Sequence, residues 1–224
     1  ANNAANQFNV TANTGVELLP DQPARLVAQA QGLLVPVDGG LGAPPLVCSD
    51  TGGFGDCRFN STPLIEAADT PPFFHNNSIN TIELAVAFFN SDAFNQVTGI
   101  PGGIKLAPTE VMAIAAMLRT LNALENIRNS NYLESEIPQF SFYEHYKNES
   151  LMRKLTMARA DTKDAIEVLE GSQFLLYDNA VELLKQALDL EEAASRTMPG
   201  RMQKKLLQQA IKLKTQARGL MVVE

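Results

Sequence analysis

From Leu151 to Leu220 apolar side chains return every three or four residues, and that spacing commits this part of the chain to helices. Leu151, Leu155, Ala158, Thr162, Ala165 and Leu169 form one stripe, which stops at Gly171. Ser172 stands where it can cap a second helix carrying Leu176, Ala180, Leu184 and Leu188. Pro199-Gly200 interrupts the pattern, and Met202, Leu206, Ala210, Leu213, Ala217 and Leu220 make a third stripe with near-heptad spacing. Amphipathic helices must bury their apolar faces, and three of this length do so most economically as an antiparallel bundle over 148–224. The third helix is basic (Arg201, Lys204, Lys205, Lys212, Lys214, Arg218) and the second acidic (Asp178, Glu182, Asp189, Glu191, Glu192). Solvated faces that align neighbours are the expectation for both sets, with a docking patch as the sharper alternative. No catalytic carboxylate pair stands out there.

Composition removes several function classes. A net charge of −7 disfavours nucleic-acid binding, which needs clustered Lys and Arg. Apolar residues make up 45%, enough to fill a core, yet no run approaches the ~20 residues of a membrane span. No charged n-region with a following apolar stretch opens the sequence, so an export signal would lie upstream or have been removed. Walker loops, nucleophile elbows and His-Glu-x-x-His are absent.

Residues 1–44 read as an extended, loop-rich segment. Its one helical signal lies between Asp21 and Gln31 and stops at Gly32. The Gly- and Pro-rich loop beyond holds both cysteines, Cys48 and Cys57. Without Cys-x-x-Cys spacing they read as a disulfide in an oxidising compartment, with two reduced buried thiols as the alternative.

Thr70-Pro71-Pro72-Phe73-Phe74-His75 is a proline-stiffened aromatic approach to one of the two histidines. Such a loop can present an imidazole to a cofactor or substrate, although a lone histidine is more often structural. From Asn80 the pattern turns helical, with Ile82, Val86 and Phe89 on one face and Leu84, Ala85 and Phe88 widening it. A loop over 90–105 follows. Pro108 in a first turn, with Glu110 behind it, starts a helix carrying Val111, Ile114, Ala115, Leu118 and Leu121 to about Asn129. Residues 130–147 read as an aromatic linker, with His145 most simply exposed or at an interface.

The stretch Phe59…Leu64…Thr70-Pro71-Pro72-Phe73-Phe74-His75-Asn76-Asn77-Ser78…Thr81-Ile82-Glu83 resembles a segment of bacterial di-haem cytochrome c peroxidases. Leu106-Ala107-Pro108-Thr109-Glu110…Ala116-Met117-Leu118-Arg119-Thr120-Leu121 is similar to the same family's closing helix, in the same order. The resemblance covers about residues 45–128 and implies the end of a cytochrome c-like domain. It further implies that His75 and Phe74 border a haem, and that Phe89 stands where the family carries a distal methionine or tyrosine. The carbonyls of Thr70 and Pro72 match calcium ligands. Phenylalanine cannot bind iron, so Phe89 would shield the distal face. No Cys-x-x-Cys-His occurs, so a haem c would be attached to another chain.

The resulting expectation is a mainly α protein: a loop-rich partial cytochrome c-like domain (45–129), a linker (130–147) and a helical bundle (148–224). Its function would be that of a periplasmic subunit or processed fragment of a di-haem peroxidase-like oxidoreductase, in a hetero-oligomer with a haem-bearing chain. The alternative is a haem-free structural or interaction subunit that assembles through the bundle.

Overall fold

Helices dominate because the periodic stretches above have no other way to pair their backbone groups while hiding one apolar face. The computed structural model describes residues 11–12, 14–16, 19, 26, 30–32, 59–60, 63–98, 101–137, 147–171 and 177–222. Among them are helices α1 (Ile82–Phe88), α2 (Asp92–Thr98), α3 (Pro108–Glu136), α4 (Lys147–Glu170), α5 (Asp178–Arg196) and α6 (Arg201–Met221). One antiparallel pair, β1 (Thr11–Ala12) with β2 (Phe59–Asn60), matches Thr11 to Asn60 and Ala12 to Phe59. The protein is mainly α. It divides into two units, 1–63 with 70–115 and 64–69 with 116–224, and the division falls inside α3.

In the first unit, Thr81 opens α1 by accepting the Leu84 N–H at 3.2 Å. The helix buries Ile82, Val86 and Phe88, leaving Leu84 exposed. The loop expected over 90–105 contains a second helix, α2, whose first turn is capped by Ser91 Oγ accepting from Phe94 N at 3.2 Å. Val16, Ile79, Phe88 and Phe94 form the core, with Phe73, Phe74, Phe89 and Ile104 packed against it. The rings meet edge to face: Phe74–Phe88 centroids are 4.9 Å apart and Phe89–Phe94 4.7 Å. Two asparagines replace missing strand partners. Asn90 donates to Leu106 O (2.9 Å) and accepts from Leu106 N (2.6 Å). Asn95 does the same to Ile104, at 3.3 and 2.7 Å. Pro108 begins α3 as expected, and Glu110 Oε2 reaches back to accept the Ala107 N–H at 2.7 Å, half of a capping box. Near the amino-terminal end, Leu26 and Ala30 are helical and Gly32 has φ 64°, in line with a helix stopping at that glycine.

Among the described residues of the second unit, α4, α5 and α6 are the three helices expected over 148–224, and α3 packs with them as a fourth α-helix. Helix α3 runs past Asn129 to Glu136, so the start of the expected linker is helix. Residue pairs fix the directions. Along α3 and α4, Glu136 meets Lys154, Ser130 meets Ala158, and Arg119 lies beside Gly171. Along α4 and α5, Arg159 meets Glu192 and Glu170 meets Lys185. Along α5 and α6, Ala194 meets Gln203 and Glu191 meets Lys214. In each pair one number rises as the other falls, so consecutive helices are antiparallel and the four make an up-down-up-down bundle. Its apolar interior includes Ala123, Ile127, Ala165, Leu169, Ala180, Leu184 and Ala217 toward one end, and Ile137, Leu155, Ala194 and Leu207 toward the other. Fully burying a leucine such as Leu155, Leu184 or Leu207 contributes about 1.5–3 kcal/mol.

The buried stripes follow heptad spacing closely. On α4 Leu155, Ala158, Thr162, Ala165 and Leu169 point inward, as the spacing predicted. On α6 the buried face is Gln203, Leu207, Ala210, Lys214, Ala217 and Met221. The expected stripe is displaced by one position: Met202 is 62% and Leu220 50% exposed. Helix α5 starts at Asp178 after Tyr177 and buries Ala180, Leu184, Ala187, Glu191 and Ala194; the expected cap Ser172 and Leu176 lie outside the described residues.

Candidate functional site

In the first unit, His75 is exposed at the tip of a turn closed by Phe73 N donating to Ile79 O at 2.6 Å. Inside it Asn77 N donates to Phe74 O at 3.1 Å, and Phe74 and Asn77 have φ of 66° and 55°. Asparagine tolerates that left-handed geometry; for a phenylalanine it costs energy, of order 1–3 kcal/mol. The turn thus holds Phe74 against Phe88 while His75 faces outward. Phe89 is half-buried in the same ring cluster. Thr70 and Pro72 are exposed, and the Pro71-Pro72 peptide is cis. Phe74 and Phe89 therefore share one cluster, whose edge carries the His75 turn. Cys48, Cys57 and His145 lie outside the described residues. Among the described residues no group of three or more His, Cys, Asp and Glu side chains is arranged to hold a metal ion.

The second unit contains a constellation that hydropathy hid. Glu134 of α3, Thr162 of α4, Glu191 of α5 and Lys214 of α6 converge with Ser130, all without exposed surface. Lys214 Nζ donates to Ser130 Oγ at 2.5 Å and to Glu191 Oε1 at 2.6 Å. Ser130 Oγ lies 2.9 Å from Thr162 Oγ1, and Thr162 donates to Glu191 Oε1 at 2.8 Å. With Ser130 donating to Thr162, the four groups close a ring, ammonium to hydroxyl to hydroxyl to carboxylate and back. Ser130 and Thr162 are also within hydrogen-bonding range of Ala158 O, which offers an alternative for either proton. The charge pattern places Lys214 and Glu191 on solvated faces. Lys214 and Glu191 are instead at the centre of the bundle, because each finds the other there along with two hydroxyls.

Glu134 is the unbalanced member. Its Oε2 is 2.9 Å from Lys214 Nζ, yet neither carboxyl oxygen lies in a hydrogen-bonding direction, and Glu191 Oε2 is orphaned as well. Distance alone suggests an ion pair, but one ammonium cannot neutralise two buried carboxylates. Burial lifts the Glu134 carboxyl to about 8, Lys214 opposing the shift and Glu191 adding to it. Glu134 is thus the member of the cluster that its surroundings bias toward the protonated carboxylic acid.

A second polar patch lies on the same helix. Asn122 and Asn126, both buried, donate to Asp69 Oδ2, the latter at 3.2 Å, while Asn122 Oδ1 accepts from Ala68 N at 3.2 Å. Asn122, Asn126, Ser130 and Glu134 thus make a buried polar row at four-residue spacing along α3. Asp161 is raised to about 6, by burial first and then by Asp164.

Fold and interior define a helical protein with an antiparallel four-helix bundle carrying a buried Lys–Glu–Glu cluster. No family model, curated protein or solved structure matches the chain.

Proposed function

We propose that the chain works beside a haem-bearing polypeptide, as a periplasmic subunit or processed fragment of a di-haem cytochrome c peroxidase-like oxidoreductase. The observation that carries this reading is the His75 turn: an exposed imidazole, backed by a phenylalanine held at φ 66° against a cluster of aromatic rings. Backbone strain of that kind gathers at ligand-facing sites. The side chains fit the rim of a porphyrin held by another chain, and do not fit its anchorage. The sequence has no Cys-x-x-Cys-His, and the half-buried Phe89 offers no lone pair to iron. A haem would supply redox chemistry at iron. The part of this chain is to set the His75 imidazole against the porphyrin edge and to exclude water with Phe74 and Phe89. The carbonyls of Thr70 and Pro72 are the proposed calcium ligands.

Purification of the chain from its natural host with its bound partner tests the reading. A Soret band in the complex, altered in its spectrum by His75→Ala, is the expected result. A colourless complex, or a haem spectrum indifferent to that substitution, overturns it.

A second reading, a haem-free subunit that assembles through the bundle, is favoured by the buried Lys214–Glu191 network. Such networks specify register and partner more than they stabilise. The colourless outcome points to it.

A further inference from the structure

We propose that Lys214 and Glu134 condense into a side-chain amide, an intramolecular cross-link that staples α6 to α3. The proposal rests on the buried cluster alone and is independent of the haem reading.

Amide formation from a lysine and a carboxyl group needs four things together. They are an amine held against a carboxyl group, a neutral carboxyl rather than a carboxylate, a base for the ammonium proton, and a dry enclosure that keeps the reactants charge-balanced and in register. The centre of the bundle supplies each. Lys214 Nζ lies 2.9 Å from Glu134 Oε2, outside a hydrogen-bonding direction, so the nitrogen is close to the group without being engaged as its donor. The Glu134 carboxyl is held as the acid by burial and by the neighbouring Glu191. Glu191 Oε1, 2.6 Å from the same nitrogen, is the base. Thr162 and Ser130 fix the base and the amine respectively, at 2.8 and 2.5 Å. All five residues are without exposed surface.

The step balances. Glu191 takes one proton from the Lys214 ammonium, leaving a free amine whose lone pair attacks the Glu134 carboxyl carbon. The C–N bond forms, the carboxyl C–O bond breaks, and the hydroxyl departs with the second amine proton as water. Nothing is oxidised or reduced. The product is a neutral amide beside a neutral Glu191, so the cluster starts and ends without net charge. Glu191 is the less suitable electrophile, because its Oε1 already accepts from both Lys214 and Thr162.

The experiment is intact mass spectrometry of the full chain, with protease digestion. The expected wild-type chain is lighter than its sequence mass by one water, and digestion yields one branched peptide joining the Glu134 and Lys214 segments. Glu134→Gln keeps the shape and changes the leaving group, so it should lose one ammonia instead. The double variant Lys214→Met/Glu191→Leu, which replaces the ion pair with apolar groups, should have its full sequence mass while keeping its helical circular dichroism. A wild-type chain of full mass overturns the proposal. So does a loss of water that persists in the double variant, since the bond would then lie elsewhere.

Discussion

Asn90 and Leu106 are joined twice: the side-chain amide donates to the Leu106 carbonyl at 2.9 Å, and its oxygen accepts the Leu106 N–H at 2.6 Å. One side chain thus imitates the edge of a neighbouring strand and satisfies a backbone that pairs with no strand among the described residues. Asn90→Ala removes both bonds and should cost about 1–3 kcal/mol, read as a lower urea midpoint at unchanged slope. Asn90→Asp keeps the acceptor and should lie between the two. An Asn90→Ala midpoint equal to wild type would contradict the role.

Gly103 should tolerate nothing larger. Its φ is 64°, and a Cβ there would stand 2.9 Å from Asn95 Cγ, the side chain that holds Ile104. Gly103→Ala adds left-handed strain of ~1 kcal/mol or more to that clash. Thermal unfolding should show a clear drop in Tm, whereas Gly219→Ala, with open space around it in α6, should show none or a rise.

Removing one partner from the buried cluster is expected to cost more than removing both. Lys214→Met leaves the Glu191 carboxyl enclosed without its ammonium partner, a loss of about 3–5 kcal/mol. Adding Glu191→Leu should recover the share due to that stranded group. Chemical denaturation of wild type and both variants checks the order; a double variant no better than the single would refute it.

Acidity should help the bundle near Asp161. Its carboxyl is raised from the ordinary 3.8 to about 6 by burial, with Asp164, Glu66 and Glu191 adding and Lys214 opposing. In that window the folded chain holds a proton that the unfolded chain has released. Stability from this group is therefore full below about pH 4 and falls as pH rises toward about 6, by at most ~1.4 kcal/mol per pH unit and by less for a group still partly open to solvent. Denaturant midpoints across that range should decline, and Asp161→Asn should flatten the decline.

Much of the fold could be read from apolar spacing, and its failures within the bundle share one cause. On α4 hydrophobicity and burial coincide, so Leu155, Ala158, Ala165 and Leu169 were legible. On α6 two faces compete through the shared Ala210 and Ala217. The more apolar one, with Met202 and Leu220, loses to the one with Gln203 and Lys214 because those find partners inside: Gln203 Nε2 donates to Ala194 O at 3.1 Å, and Lys214 meets Glu191. The same holds for α3, where Asn122, Asn126, Ser130 and Glu134 face inward and blur the period beyond Leu121. A Lys, two Glu, a Ser and a Thr spread over four helices leave no local signal; only tertiary structure brings them together. The turn at His75 follows the two prolines and two rings that mark it in the sequence. The helix Asp92–Thr98 was missed because seven residues between turns carry too little pattern.

The antiparallel order of the helices has a kinetic consequence. Contacts between α5 and α6 span few residues, as in the nine separating Ala194 from Gln203, whereas the Ser130–Lys214 bond closes a loop of 84. Chain entropy favours the short closure first, so in a chain free of the Glu134–Lys214 amide, such as Glu134→Leu, this hairpin should nucleate folding, and docking of α3 should come late. Ala187→Gly would then slow refolding, while Ser130→Ala would mainly hasten unfolding in stopped-flow traces.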